Sequence, residues 1–129
     1  MAYWLRFLAA EESLAASGAK ARVVTASGDD TLRTTVFDVV RGYDWPAEYT
    51  GRALRNHFSE AWHGREQALT DAGESERARY AATAASGDVD TAVVFAGEGI
   101  DLIHRVEPAG VILDRMIREA ETALARRFD

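Results

Sequence analysis

The side chains best suited to move a proton near neutral pH are three histidines, His57, His63 and His104. His57 and His63 stand six positions apart, so they do not form the i, i+4 pair that holds a metal on one helix face. No Ser or Asp lies at a spacing that completes a nucleophilic relay with any of the three. His57 is a candidate general base, but a surface or capping histidine is the commoner meaning of a lone one. His63 precedes Gly64, which reads as a helix end where a cation meets the favourable pole of the dipole. Gly97-Glu98-Gly99 could bring backbone amides to a phosphate at a helix start. Glu98 and Asp101 at that same end would repel the anion, so capping glycines are the plainer reading. Asp88, Asp90, Glu98 and Asp101 lack the spacing of a calcium loop and read as solvated carboxylates. Arg52 and Arg55 are three apart and on a helix would clamp one anion. Surface pairing with Asp44, Glu48 or Glu66 is an equal alternative. These motifs assign no catalytic residue and no metal ligand, and alone they name no reaction.

The elements that must position these groups are mostly helical. Residues 3–10 are apolar around Arg6 and fit either a strand or a helix. Residues 11–26 read as a helix weakened at Ser17-Gly18, followed by a turn at residues 27–30. Residues 32–40 collect Thr34, Thr35, Val36, Phe37, Val39 and Val40, the one clear strand on composition. A loop over 41–51 contains Trp45 before Pro46, which favours extended backbone there. Leu54, Phe58 and Trp62 recur at i, i+4 and i+8, predicting a helix over residues 52–62. Further helices are expected over 65–69 and 74–85, a short strand or buried turn over 91–95, and a short helix over 99–106. The last helix follows Pro108, with Leu113, Met116, Ile117, Ala120 and Leu124 on one face. The fold class is therefore α+β, mostly helical, with one to three strands that lack obvious partners.

Composition bounds the function. The net charge is −6, from 15 Lys plus Arg against 21 Asp plus Glu, which disfavours sequence-independent nucleic-acid binding. The absence of Cys removes disulfides, thiolate catalysis and Cys-based zinc sites. No apolar run approaches the roughly 18 residues of a membrane helix, and residues 1–10 make a poor signal peptide. A cytoplasmic protein with no membrane and no nucleic-acid partner is the resulting expectation. The 129 residues fit a single domain.

Several phrases, taken in order, resemble the C-terminal region of the nitronate monooxygenase family (2-nitropropane dioxygenase-like flavoproteins). They are Arg6-Phe7-Leu8-Ala9-Ala10-Glu11-Glu12-Ser13, Thr35-Val36-Phe37-Asp38 and Gly51-Arg52-Ala53-Leu54-Arg55-Asn56. Trp62-His63-Gly64-Arg65-Glu66, then Val94-Phe95-Ala96-Gly97-Glu98-Gly99 and the closing amphipathic helix, complete the series. The resemblance implies an FMN-dependent TIM-barrel oxidoreductase that oxidises alkyl nitronates with dioxygen. It places this chain, residues 1–129, as one partial domain: the end of the last barrel strand near Arg6, then a helical extension with one or two short strands. A whole barrel takes roughly 200 residues or more, so most strands have no counterpart here.

The family's Gly-Thr before the Arg-Phe-Leu phrase is replaced by Trp4-Leu5, whose side chains would block close approach to the FMN phosphate. The match starts abruptly at Arg6, which implies a truncated or frameshifted frame with Met1 to Leu5 of other origin. The resemblance further implies cofactor contacts at Arg55, Asn56 and Gly97, facing the barrel mouth. A truncated, FMN-family chain that is inactive by itself is the leading expectation. Its rivals are a helical self-association or partner-docking module, and a subunit completing a flavin barrel encoded separately. Either rival predicts exposed apolar surface, with Phe7, Leu8, Val36, Phe37 and Phe95 as candidates.

Overall fold

The computed structural model describes residues 3–46 and 48–126, with only the backbone of Tyr3; the expectation concerning Met1 and Ala2 lies outside them. Its elements are α1 (Tyr3–Leu8), α2 (Ser17–Thr25), β1 (Thr31–Thr34), α3 (Val36–Arg41), β2 (Gly51–Leu54), α4 (His57–Trp62), α5 (Glu66–Ala85) and α6 (Ala109–Ala125). Short 3-10 turns span Gly28–Asp30 and Glu98–Leu102. Among the described residues this is a mostly helical α+β fold with one two-stranded sheet.

The strands find more partners than composition suggested. β1 and β2 pair antiparallel, Thr31 opposite Leu54 and Thr34 opposite Gly51. The other edge of β2 is taken by the 94–96 segment: the Leu54 amide donates to the Val94 carbonyl (2.9 Å) and the Ala96 amide to the Arg52 carbonyl (3.1 Å). β2 is thereby hydrogen-bonded on both sides. Alternation along it then divides the core, because successive strand side chains point to opposite faces. Leu54 joins Leu5, Ala9, Val23, Val94, Ile100 and Ile103. Ala53 joins Val36, Phe37, Val40, Phe58, Leu69 and Tyr80. In the second cluster the rings of Phe37 and Phe58 stack at 5.6 Å, and Tyr80 packs on Phe58 at 4.9 Å. Such aromatic pairs add about 0.5–1.5 kcal/mol beyond burial.

Four expectations need correction. The strand expected over 32–40 ends at Thr34, and Val36–Arg41 is α3. Val36, Phe37 and Val40 are buried together, a helical spacing, and Gly42 at φ 75° ends the helix in the left-handed conformation that glycine adopts freely. Tertiary burial outweighs the β-branched composition there. The helix expected over 52–62 begins only at His57, because residues 51–54 are drawn into the sheet. The segment read as the end of a barrel strand is helix α1, with Leu5 and Ala9 buried one turn apart. Finally, α2 starts at Ser17 instead of spanning it, so Ser17-Gly18 marks a helix start.

The first and last parts of the chain hold each other. The Glu11 amide donates to the Glu107 carbonyl (3.0 Å), and the Glu12 carboxylate accepts from the Ala109 amide (2.8 Å). Glu12 thus caps α6 from a distance, placing an anion at the positive end of its dipole. The Ala109 hydrogen bond, chiefly, holds the Glu12 carboxyl below its ordinary range. No described helix is long and apolar enough to cross a membrane.

Candidate functional site

The end of β2 carries most of the residues singled out for chemistry. Arg52 lies on β2 and Arg55 just beyond it, so the two do not share a helix face. The Arg52 guanidinium is already bound: it donates to Thr31 Oγ1 (3.0 Å) and pairs with Glu98 Oε1 (2.9 Å). Arg55 is exposed, and its backbone is clamped, its amide donating to the Asp30 carbonyl (2.8 Å) and its carbonyl accepting from Arg22 Nη2 (2.7 Å). Asp30 in turn is held below its ordinary range by the Ser27 amide first and the Ser27 hydroxyl next.

Asn56 is buried, and its carboxamide is engaged through both its oxygen and its nitrogen. Its Oδ1 accepts from the Ser59 amide (2.9 Å), capping α4, while Nδ2 donates to the carbonyls of Ala92 (3.0 Å) and Val89 (3.4 Å). The Ser59 hydroxyl accepts reciprocally from the Asn56 amide (2.9 Å). This reciprocal cap fixes where the strand stops and the helix starts. Gly97 caps the 3-10 turn Glu98–Leu102, and a Cβ built there would meet nothing within 4 Å. Its surroundings are open.

Arg55 and Asn56 follow the last residue of β2, whereas Gly97 lies beside its first, because the 94–96 segment runs antiparallel to β2. Both Nδ2 hydrogens of Asn56 are committed to backbone carbonyls, Arg55 stands in solvent, and Gly97 borders open space. At the Trp4-Leu5 position the Leu5 side chain is fully buried in the core and Trp4 is exposed.

The histidines do not assemble a relay. His63 Nδ1 stands 3.2 Å from Thr34 Oγ1 and 3.9 Å from Glu66 Oε1. A relay needs the nucleophile on one ring nitrogen and the acid on the other; here both approach the same nitrogen. Three of the carboxylates that read as solvated find separate partners: Asp90 pairs with Arg22 (3.3 Å), Glu98 with Arg52 (2.9 Å), and Asp101 accepts from the Gly28 amide (3.0 Å). Among the described residues no group of three or more such side chains could hold a metal.

Two recesses went unnoticed in the sequence, and Phe95 lines both. One, of about 490 Å³, is walled by Tyr43, Trp45, Tyr49 and Phe95 over Asp38 and Arg41. At its base Arg41 pairs with Asp38 (2.8 Å) and lies against the rings of Tyr43 (4.7 Å) and Phe95 (5.3 Å). The other, of about 280 Å³, is apolar, with Trp4, Leu8, Ala19, Val93 and Phe95 among its walls. The aromatic residues Tyr43, Trp45, Tyr49 and Phe95 were the available signal, but β2, α4 and α5 separate Phe95 from the other three.

Comparison with family models and with curated proteins gives no match. Comparison with solved structures does. FabK from Thermotoga maritima superposes with a TM-score of 0.65 at 21% sequence identity, over 94% of this chain and 36% of that chain. A point variant of FabK from the same organism gives 0.60 and 21%, over 94% of this chain and 33% of that one. This chain therefore spans about a third of the length of the solved chains it matches. Its fold is similar to one portion of a TIM-barrel enzyme.

Proposed function

We propose that this chain is the helical portion that follows the last strand of an FMN-dependent TIM-barrel oxidoreductase of the nitronate monooxygenase-like kind. We propose also that its 129 residues hold the flavin only together with a barrel. The observation that carries this reading is the superposition of nearly the whole chain on about a third of FabK, which agrees with the ordered phrases from Arg6 to the last helix. FMN in such an enzyme would take electrons from a nitronate and pass them to dioxygen. On this reading Arg55 and Gly97 border the cofactor side, and Asn56, capping α4, fixes the backbone next to Arg55. The exposed apolar side chains of α6, Leu113, Ile117 and Leu124, are surface for the barrel to cover.

The test is to purify the chain, add FMN, and follow bound-flavin absorbance and nitronate-dependent oxygen uptake. The proposal predicts neither for the chain alone, and both once a barrel encoded in the adjacent reading frame is co-expressed and co-purifies. A stoichiometric flavin complex of the isolated chain contradicts it. A second reading, a self-associating helical module, rests on the same α6 stripe; light scattering across a concentration series decides it, since a strict monomer excludes it.

A further inference from the structure

The larger of the two aromatic recesses keeps unspent polar atoms at its base. Its walls are Tyr43, Trp45, Tyr49 and Phe95, and the first three are 54%, 61% and 62% exposed. Large rings left to solvent around one concavity of about 490 Å³ are uncommon on a plain surface and common in a ligand pocket. The base is the ion pair of Asp38 and Arg41, and each partner keeps one atom in reserve. Asp38 is buried, its Oδ1 accepts from Arg41 Nη2 (2.8 Å), and no described residue donates to its Oδ2. Arg41 also donates through Nε to the Phe37 carbonyl (2.9 Å), while its Nη1 has no acceptor among the described residues. Neither spare atom is sealed: among the described residues, only Arg6 Nη1 is both buried and unpartnered. Gly51 keeps this base open. A Cβ there would stand 3.0 Å from the Phe95 ring and 3.9 Å from Asp38 Oδ2, crowding the space between them.

Charge and hydrogen-bonding capacity give the ligand's chemistry. The charged side chains lining the recess, Asp38 and Glu48 against Arg33 and Arg41, sum to zero, so it favours neither a free cation nor a free anion. What it offers is one acceptor and one donor beneath aromatic walls. An amide or lactam edge supplies the complementary N–H and C=O, and a flat ring carrying that edge would stack on Trp45 or Tyr49. We infer that this recess is a binding site for a neutral ligand of one or two flat aromatic rings with an amide edge. Its N–H donates to Asp38 Oδ2, and its carbonyl accepts from Arg41 Nη1. Such a ligand is uncharged, unlike FMN with its phosphate, so the inference does not rest on the flavin reading.

Titration calorimetry of the full chain with benzamide, and with benzoate in a parallel arm, tests it. Benzamide should saturate at one per chain in the millimolar range. Benzoate has the same ring but no N–H for Asp38, and should bind about tenfold more weakly. Trp45→Ala and Tyr49→Ala change exposed side chains, so folding is not at risk, and at least one should weaken benzamide about fivefold by removing a stacking face. Asp38→Asn keeps the shape and loses the charge, and should weaken it about tenfold; if that variant does not fold, the two loop variants still decide. Failure of benzamide to saturate, or equal binding of benzoate, overturns the proposal. Binding that persists unchanged in both loop variants overturns it equally.

Discussion

Glu107 and Asn56 each stand where several parts of the chain converge. Glu107 is held down to about 2 by the hydrogen bond from Arg115 and, next, by that from Arg105. Its ordinary value is 4.5, so between these pH values the folded chain binds fewer protons than the unfolded chain. The stability it contributes is complete above about pH 4.5 and is lost as pH falls toward 2. Urea midpoints of the natural chain should therefore drop more steeply over that range than those of Glu107→Gln; parallel profiles would contradict the assignment. Asn56→Ala should cost about 1–3 kcal/mol, because it removes a helix cap and leaves the part-buried Ala92 carbonyl without its side-chain donor. A loss below about 0.5 kcal/mol in denaturant unfolding would show the cap to be dispensable. Neither role was legible in the sequence. Asn56 was picked out as a cofactor contact from its phrase, and only the fold shows its amide committed to Ser59, Ala92 and Val89. Gly97, by contrast, was readable as a capping glycine from its neighbours alone.

At the scale of elements, legibility followed local chemistry. The helix break between residues 69 and 74 was expected, and the structure places it at Gly73, whose φ of 62° and ψ of −144° interrupt α5. Only glycine occupies that region readily. A Cβ at Gly73 would meet nothing within 4 Å, so Gly73→Ala tests backbone conformation without a steric clash. It should destabilise by about 1–3 kcal/mol, read as a lowered thermal midpoint; an unchanged or raised midpoint would mean that α5 runs through as one straight helix. The turn at residues 27–30 and α6 after Pro108 were legible for the same reason, since each is set by residues next to one another. The 32–40 strand and the 52–62 helix were misread because pairing decides them. Residues 51–54 become β2 only because Thr31–Thr34 and the 94–96 segment arrive on either side. No window of sequence contains that information.

Of the apolar residues expected at the surface, Val36 and Phe37 are fully buried in the chain's own core, and Phe7, Leu8 and Phe95 are half-buried. The exposed apolar side chains include Val111, Leu113, Ile117 and Leu124 on α6, with Trp4, Leu14, Leu102 and Val106 elsewhere on the fold. The amphipathic stripe of α6 was legible from spacing, but its burial was not: α6 leans on the body through Ile112 and the Arg115 pair with Glu107 and leaves the stripe outward. On the proposed function, that outward stripe is the surface a barrel would cover. The most direct test is gel filtration of the purified chain after incubation with excess FMN, read by flavin absorbance across the protein peak. Flavin emerging wholly in the small-molecule fraction is the predicted result; one FMN travelling with each chain would contradict the account.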